Sequence, residues 1–368
     1  MTDWTTTRRT ALFTMGATLA FPAFAAGRTV NLVAGTYARE GGKGLYPIAY
    51  DVVRDRWSVG APVLGIEDAS FGIGGGPGGA YYLVRENAQG EVADYAPGWV
   101  RRGTAPTEGA DPCYLALDRA SGCLAVANYS SGSVAFHRLD PRTGIPATPT
   151  LFRHVGAGPN HDRQEAAHAH WVGFSPDRRW LHAIDLGADT IFAYRFDPQA
   201  RTLAPPVVAW RAPAGAGPRH MVRHPVQPRA YVVCELSNTL TALDVKPDET
   251  FATRQSVSTL PAGFAGLSQA AHIAIDRAGR RIYVSNRGHD SIAVFALDAE
   301  GMPTLLQHIA SGGTWPRFFL LLEGEHRLVV ANERSGTLAV FRVGGDGRLV
   351  ATGHALSVPG VVFLGRYA

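Results

Sequence analysis

HWVGFSPDRRWLHAIDLGADTIFAY, residues 170–194, holds one complete unit of a plan that recurs along the chain. His170-Trp171-Val172-Gly173-Phe174 reads as a strand, Ser175-Pro176-Asp177 as a polar turn, and residues 180–185 as a second strand. A short loop leads to a third strand at residues 190–194. These runs are rich in β-branched and aromatic residues and are bounded by Gly, Pro, Asp and Ser, which favour turns. The same order returns in AHIAIDRAGRRIYVSNRGHDSIAVF (271–295), RFFLLLEGEHRLVVANERSGTLAVF (317–341) and PCYLALDRASGCLAVANYSSGSVAF (112–136). Residues 219–245 follow it, residues 71–95 follow it less cleanly, and residues 30–37 open a seventh unit.

The units recur every 40–57 residues or roughly so, a period typical of propeller blades and repeat arrays. One small sheet cannot bury both its faces. Sheets stacked around an axis bury them against each other and leave only short, protected edges. The expected fold is therefore all-β: a seven-bladed β-propeller of four-stranded antiparallel blades, with residues 358–364 returning a strand to the first blade. A β-solenoid is the structural alternative, but its repeats are shorter, and no long stretch shows helical spacing. Length alone would suggest two domains for 368 residues, yet large all-β folds hold this much chain in one. A single domain over residues 27–368 is expected. The second unit departs from the plan, with Gly72-Ile73-Gly74-Gly75-Gly76-Pro77-Gly78-Gly79 where a turn and an apolar strand belong.

Composition agrees. Gly at 42 and Pro at 24 are high and scattered, as many tight turns require. The formal charge is only +4 and no block of like charges occurs, which argues against a nucleic-acid partner. Residues 1–26 read as an export signal. Arg8-Arg9 precede an apolar stretch, and Ala23-Phe24-Ala25 offers a small-x-small cleavage point, a layout resembling the twin-arginine type. The mature protein is expected to be periplasmic or secreted. No other apolar run approaches the ~20 residues that span a bilayer, so no membrane association of the mature form is expected. Cys113 and Cys123 fall in one hairpin with Cys123 opposite about Leu117, too far apart for a disulfide. With Cys234, they are expected to be buried apolar residues.

Aligned units put polar residues in two columns. His168, His170, Arg219, His220, His272 and Arg317 stand at the starts of innermost strands. Glu86, Asn128, Asp185, Glu235, Asn286 and Asn332 end the next strand, with Arg287 and Glu333 one step on. Antiparallel neighbours place one strand's start beside the other's end. Both columns should therefore meet at one mouth of the central channel. Asn and Asp at strand ends are also ordinary turn residues, and a strand-start His can simply bond a loop. The arginines beside carboxylates are harder to explain structurally. Residues at a channel mouth support few core contacts, so their replacement is expected to leave stability largely unchanged.

Several ordered stretches resemble the 6-phosphogluconolactonase-type propeller lactonases. They are Ala127-Asn128-Tyr129-Ser130-Ser131-Gly132-Ser133, Gly156-Ala157-Gly158-Pro159-Asn160, Arg163-Gln164-Glu165-Ala166-Ala167-His168-Ala169-His170, Asp185-Leu186-Gly187-Ala188-Asp189, Gly217-Pro218-Arg219-His220, Glu235-Leu236-Ser237-Asn238, Ser285-Asn286-Arg287-Gly288-His289-Asp290 and Trp315-Pro316-Arg317. The resemblance spans residues 30–341. It implies a seven-bladed propeller that hydrolyses a sugar lactone, and fungal muconate-lactonising enzymes share the fold and similar His, Arg and Glu positions. Carried onto this chain, it implies His170 (or His168), Arg219, Glu235 and Arg287 as the catalytic set. His168, Asp185, His220, Asn286 and Arg317 are the expected substrate contacts. Arg219 and Arg287 would stabilise an oxyanion, and Glu235 or His170 would activate water. No Gly-x-Ser-x-Gly elbow appears, which favours direct water attack. No cofactor is expected. A divalent cation held by mouth carboxylates is a second enzymatic reading, opposed by the arginines, and a propeller that only binds a ligand or partner protein is a third. The export signal conflicts with a cytoplasmic phosphosugar substrate and suggests an unphosphorylated lactone. Mass spectrometry of natively expressed protein should find residues 1 to about 26 removed; an intact Met1 terminus in the cytoplasm would refute the export reading.

Overall fold

A computed structural model describes residues 28–367, so the expected signal over residues 1–26 lies outside the described residues. Seven antiparallel sheets follow one another around an axis. Their innermost strands are Val361–Arg366, Gly72–Gly74, Pro112–Asp118, Ala169–Phe174, Pro218–Arg223, Gln269–Ile275 and Pro316–Leu322. Each contacts the next, and Pro316–Leu322 contacts Val361–Arg366, closing the ring. Val361–Arg366 pairs antiparallel with Thr29–Thr36, so the first blade is built from both ends of the described chain. The expected seven-bladed propeller is the fold. One detail differs: in the fourth blade both Thr202–Leu203 and Val207–Arg211 pair with Thr190–Asp197, splitting the outer edge between two short strands.

Burial explains why the sequence folds this way. Seven apolar clusters fill the seven junctions between neighbouring blades. Leu32 and Ile48 of the first blade meet Val329 and Val340 of the seventh, for example. Alternate residues of a strand face opposite sides. Because each blade is sandwiched, both sides are apolar, which accounts for near-continuous runs such as Leu328-Val329-Val330-Ala331, all buried. The weak second unit does form a blade, but Gly72–Gly74 makes only three ladder pairs with Tyr81–Arg85. Its glycines admit Tyr81 and Tyr82, whose rings occupy the space a Cβ would need at Gly72 and Gly76.

All three cysteines are free and buried. Cys123 pairs with Asp118, one residue beyond the expected Leu117. No helix among the described residues is long and apolar enough to cross a membrane.

The closing strand is held by its side chains as well as its ladder. Phe363 is 2% exposed, with its ring centroid 5.1 Å from that of Phe71 and 5.4 Å from that of Phe318. Phe363→Ala should lower the free energy of unfolding by about 3–5 kcal/mol in guanidinium titration. Val350→Ala, on an exposed outer strand, should change it by less than about 0.5 kcal/mol.

Candidate active site

The innermost strands begin irregularly, and that irregularity builds the site. In the third blade, Pro112 and Tyr114 pair with consecutive residues of the next strand, and Cys113 is left out of the ladder. His170, Arg219 and Arg317 are passed over in the same way at equivalent points. Ala271 and His272 are passed over in the sixth blade, and Val362 in the first. Such bulges bend a strand and re-aim the extra side chain. Here they let consecutive residues serve two purposes. The passed-over Arg219 and Arg317 reach carboxylates at the ends of neighbouring strands. The residues that follow, including His220, Phe318 and Phe363, turn their rings toward one another.

Those rings form a closed circuit across the channel. Centroid distances run Phe71–Tyr114 3.9 Å, Tyr114–His220 5.0 Å, His220–His272 5.3 Å, His272–Phe318 4.0 Å, Phe318–Phe363 5.4 Å and Phe363–Phe71 5.1 Å. His170 lies 5.2 Å from the His220 ring. A cavity of ≈ 970 Å³ opens toward the far ends of the inner strands, lined by Phe71, Phe318 and Phe363 and by Arg28, Glu325 and Arg366. It is lined by no histidine, and its buried Glu325 is already paired with Arg28 (2.7 Å) and Arg366 (2.6 Å). The reactive groups gather at the other mouth, where the inner strands start.

At that mouth the second column separates into two by alternation. Asn128, Asn286 and Asn332 donate Nδ2 to the carbonyls of Thr107, Thr259 and Ser311, each just past the outer strand of the preceding blade. Asp185 has the equivalent place. It accepts from the backbone N–H of His168 (2.7 Å) and of Ala188 (2.9 Å) and meets His154 Nδ1 at 2.7 Å. The structure therefore places Asp185 and Asn286 in braces between blades. The residues one step later, Tyr129, Arg287 and Glu333, take their place around the mouth together with Glu86 and Glu235.

Glu235 is the centre. Its Oε2 accepts from Arg219 Nε at 2.9 Å and lies 2.7 Å from Arg287 Nη2, while Oε1 accepts from Arg163 Nη2 at 2.5 Å. Burial alone would raise this carboxyl, but Arg287, Arg163 and Arg219 outweigh it and hold Glu235 well below the usual carboxylate range. It is therefore a fixed counter-charge. With Arg219 at 2% exposure and Glu235 at 1%, the expectation that mouth residues carry little stability does not suit this pair: removing one partner of a buried ion pair costs about 3–5 kcal/mol. Burial and the neighbouring Arg287 pull Arg219 down to about 9, still cationic at neutral pH.

The histidines beside it are neutral. Burial, followed by the Arg219 charge, holds His170 and His220 well below the ordinary imidazole range and lowers His272 to about 3. The tautomers follow from the partners. Arg219 Nη1 can only donate and lies 3.1 Å from Nε2 and 3.4 Å from Nδ1 of His220; the shorter contact makes Nε2 the acceptor. His220 Nδ1 then donates to His272 Nδ1 at 3.1 Å. His170 Nδ1 lies 3.8 Å from Cys113 Sγ. His168 stands apart from this group: Nδ1 donates to the Tyr129 carbonyl, Nε2 is 3.1 Å from Glu165, and the ring stacks on Tyr129. Arg317 pairs with Glu86 at 3.5 Å on the opposite side. Among the described residues, no group of three or more His, Cys, Asp or Glu is arranged to hold a metal ion.

Sequence reasoning gave no role to Arg163, which sits outside the repeat, or to Tyr129, which follows the strand-end Asn128 within it. Arg163 comes from the loop between the third and fourth blades and also donates to the Tyr129 hydroxyl at 3.2 Å. The only sequence signal was the length of that loop and its place in the motif before His170.

The family model described as Lactonase, 7-bladed beta-propeller matches residues 31–365, and the chain belongs to that family. It is 32% identical over 349 residues to a 6-phosphogluconolactonase of Bacillus subtilis (strain 168), covering 88% of this chain and 95% of that protein. Among solved structures, one described as the periplasmic gluconolactonase of Pseudomonas aeruginosa is 29% identical with a TM-score of 0.85, covering 93% of this chain and 99% of that one. A protein from Lactobacillus plantarum matches at 27% identity with a TM-score of 0.86, covering 92% and 99%.

The neutral histidines set an acid limit. Their folded pKa values lie below the unfolded value near 6.5, so the unfolded chain takes protons first as the pH falls. The stability they contribute is complete above about pH 6.5 and is lost toward about pH 3 for His272. His272→Phe, which continues the stack on Phe318, should narrow the stability difference between pH 7 and pH 5 by about 2 kcal/mol. Denaturant titrations at both pH values measure this; an unchanged difference would mean that His272 is already protonated in the folded protein.

Proposed function

We propose, from its membership of the lactonase family, that the chain hydrolyses a sugar lactone, and that the substrate is an unphosphorylated aldonolactone met outside the cytoplasm. The observation that carries this reading is the placement of two buried guanidiniums, Arg219 and Arg287, on one oxygen of Glu235, with the neutral His170 beside them. Absence of phosphate is supported by the twin-arginine-like N-terminus and by the similarity to the Pseudomonas aeruginosa protein described as a periplasmic gluconolactonase.

In the proposed reaction the lactone carbonyl oxygen lies toward Arg219 and Arg287. Water adds to the carbonyl carbon, His170 takes its proton, and the guanidiniums stabilise the charge that develops on oxygen. Burial and Arg219 make His170 a weak base at rest. The negative charge forming on the substrate offsets the arginines and raises His170 basicity as the proton moves. Collapse of the tetrahedral intermediate breaks the ring C–O bond, and the proton returns to the departing alkoxide. Glu235 holds the guanidinium planes in place and offsets their mutual repulsion. His168, His220 and Arg317 would contact the sugar, and Asp185 and Asn286 would support them through the blade braces.

A pH-stat assay over a panel of δ-lactones tests this. His170→Asn should lower kcat/KM by at least ~10²-fold and leave unfolding free energy within about 1 kcal/mol of wild type. Glu235→Gln should lower activity and also destabilise by about 3–5 kcal/mol, because three guanidiniums lose their counter-charge. Folded wild-type protein that hydrolyses no lactone would remove the catalytic reading and leave a binding propeller.

A further inference from the structure

The mouth has a second half, of which the hydrolytic scheme uses only Arg317, as a sugar contact. Tyr37 and Glu86 directly follow equivalent strands of the first and second blades, as Glu333 does in the seventh, and Arg317 reaches between them. Arg317 lies 3.5 Å from Glu86 Oε1, with its guanidinium 5.2 Å above the Tyr37 ring. Burial pulls Arg317 down, but Tyr37, Glu86 and Glu333 together hold it above the usual arginine range. This half is continuous with the first, since Arg287 responds to both Arg317 and Glu333.

Its hydrogen bonding is incomplete. Oε2 of Glu86 and Oε2 of Glu333 are buried without a hydrogen-bond partner. The Tyr37 hydroxyl, on a side chain with 0% exposure, sits against Glu86 without reaching hydrogen-bond geometry. Glu333 itself is only 7% exposed. A buried acceptor left unmade is costly, and a folded protein seldom keeps several together without a use for them. The charges also differ between the halves. Glu235 faces three guanidiniums, whereas Arg317 has two carboxylates beside it. The second half therefore favours ligand donors over ligand acceptors, and the Arg317 charge within it opposes a metal ion.

We propose that Tyr37, Glu86 and Glu333 form a hydroxyl-binding subsite that selects polyhydroxylated rings, the two carboxylates accepting from vicinal O–H groups while the ring's carbonyl side lies toward Arg219 and Arg287. The orientation rests on the hydrolytic reading; the subsite itself does not. Glu86 and Glu333 are then determinants of specificity for hydroxylated over bare lactones.

The test uses 1,5-anhydro-D-glucitol, a ring polyol with no lactone to hydrolyse, titrated by NMR into the full-length protein and its Glu86→Gln and Glu333→Gln variants. Each variant should weaken binding about tenfold or more, as expected for a lost hydrogen bond to a charged acceptor. Glu86→Gln should also lower Tm, because it takes a counter-charge from Arg317 3.5 Å away, so binding and turnover are read on folded protein, where a purely structural role would leave the affinity of the folded fraction unchanged. In parallel, the ratio of kcat/KM for D-glucono-δ-lactone to that for δ-valerolactone should fall about tenfold. Wild-type protein that does not bind the polyol, or variants that bind it equally well, would overturn the proposal. So would binding abolished by EDTA, which would assign the carboxylates to a cation. If the polyol binds as described and no lactone is hydrolysed, the subsite stands and the hydrolytic reading falls.

Discussion

The structure depends on the pairing of Val361–Arg366 with Thr29–Thr36. A blade is apolar on both sides, so an open row of seven would leave two faces and an unpaired edge in water. Closing the ring with a strand from the far end of the chain removes all three at once. It also makes the seven innermost strands run in one sense around the axis, so that all seven starts lie at one mouth. The convergence of Arg219, Arg317, His170 and His220 follows from closure rather than from any local motif. The same strand supplies Phe363 to the aromatic circuit, so the element that completes the fold also helps close the channel beneath the reactive groups.

This explains what could be read from sequence. Strand runs, turns and the returning strand are local patterns repeated at one spacing, and the ring followed from them. The convergence of strand starts with strand ends also followed, because it needs only antiparallel order. Direction did not. Asn286 and Arg287 are adjacent letters in one column, yet one braces a blade through the Thr259 carbonyl and the other faces Glu235. Alternation makes that difference of one residue decisive, and the bulges shift the alternation in six of the seven innermost strands without altering composition. Arg163 was illegible for another reason: it reaches Glu235 across 72 residues from a loop that belongs to no repeat.

The mouth carries both signs of charge in unequal halves. Around Glu235 the excess is positive, and around Arg317 it is negative. Neither half would be stable alone, since buried like charges repel strongly where water cannot screen them. Their proximity offsets part of that repulsion, and the rest is held by geometry: Arg219 is fixed by the Ala271 carbonyl at 2.9 Å as well as by Glu235. A pre-set field of this kind needs no reorganisation when charge appears on a bound oxygen, which is how preorganised donors lower a barrier.

The histidines between the halves must stay neutral for this to work, and the hydrogen bonds enforce it. Arg219 donates to His220, and His220 donates to His272. The chain has one proton for each gap. A further proton on His220 would turn Nε2 toward the Arg219 N–H as a second donor. A further proton on Nδ1 of His272 would set two N–H groups against each other at 3.1 Å. Burial disfavours the charge, Arg219 repels it, and the donor order leaves it no acceptor. The three effects act in the same direction, so the neutrality of the site floor is a property of its connectivity as much as of its burial.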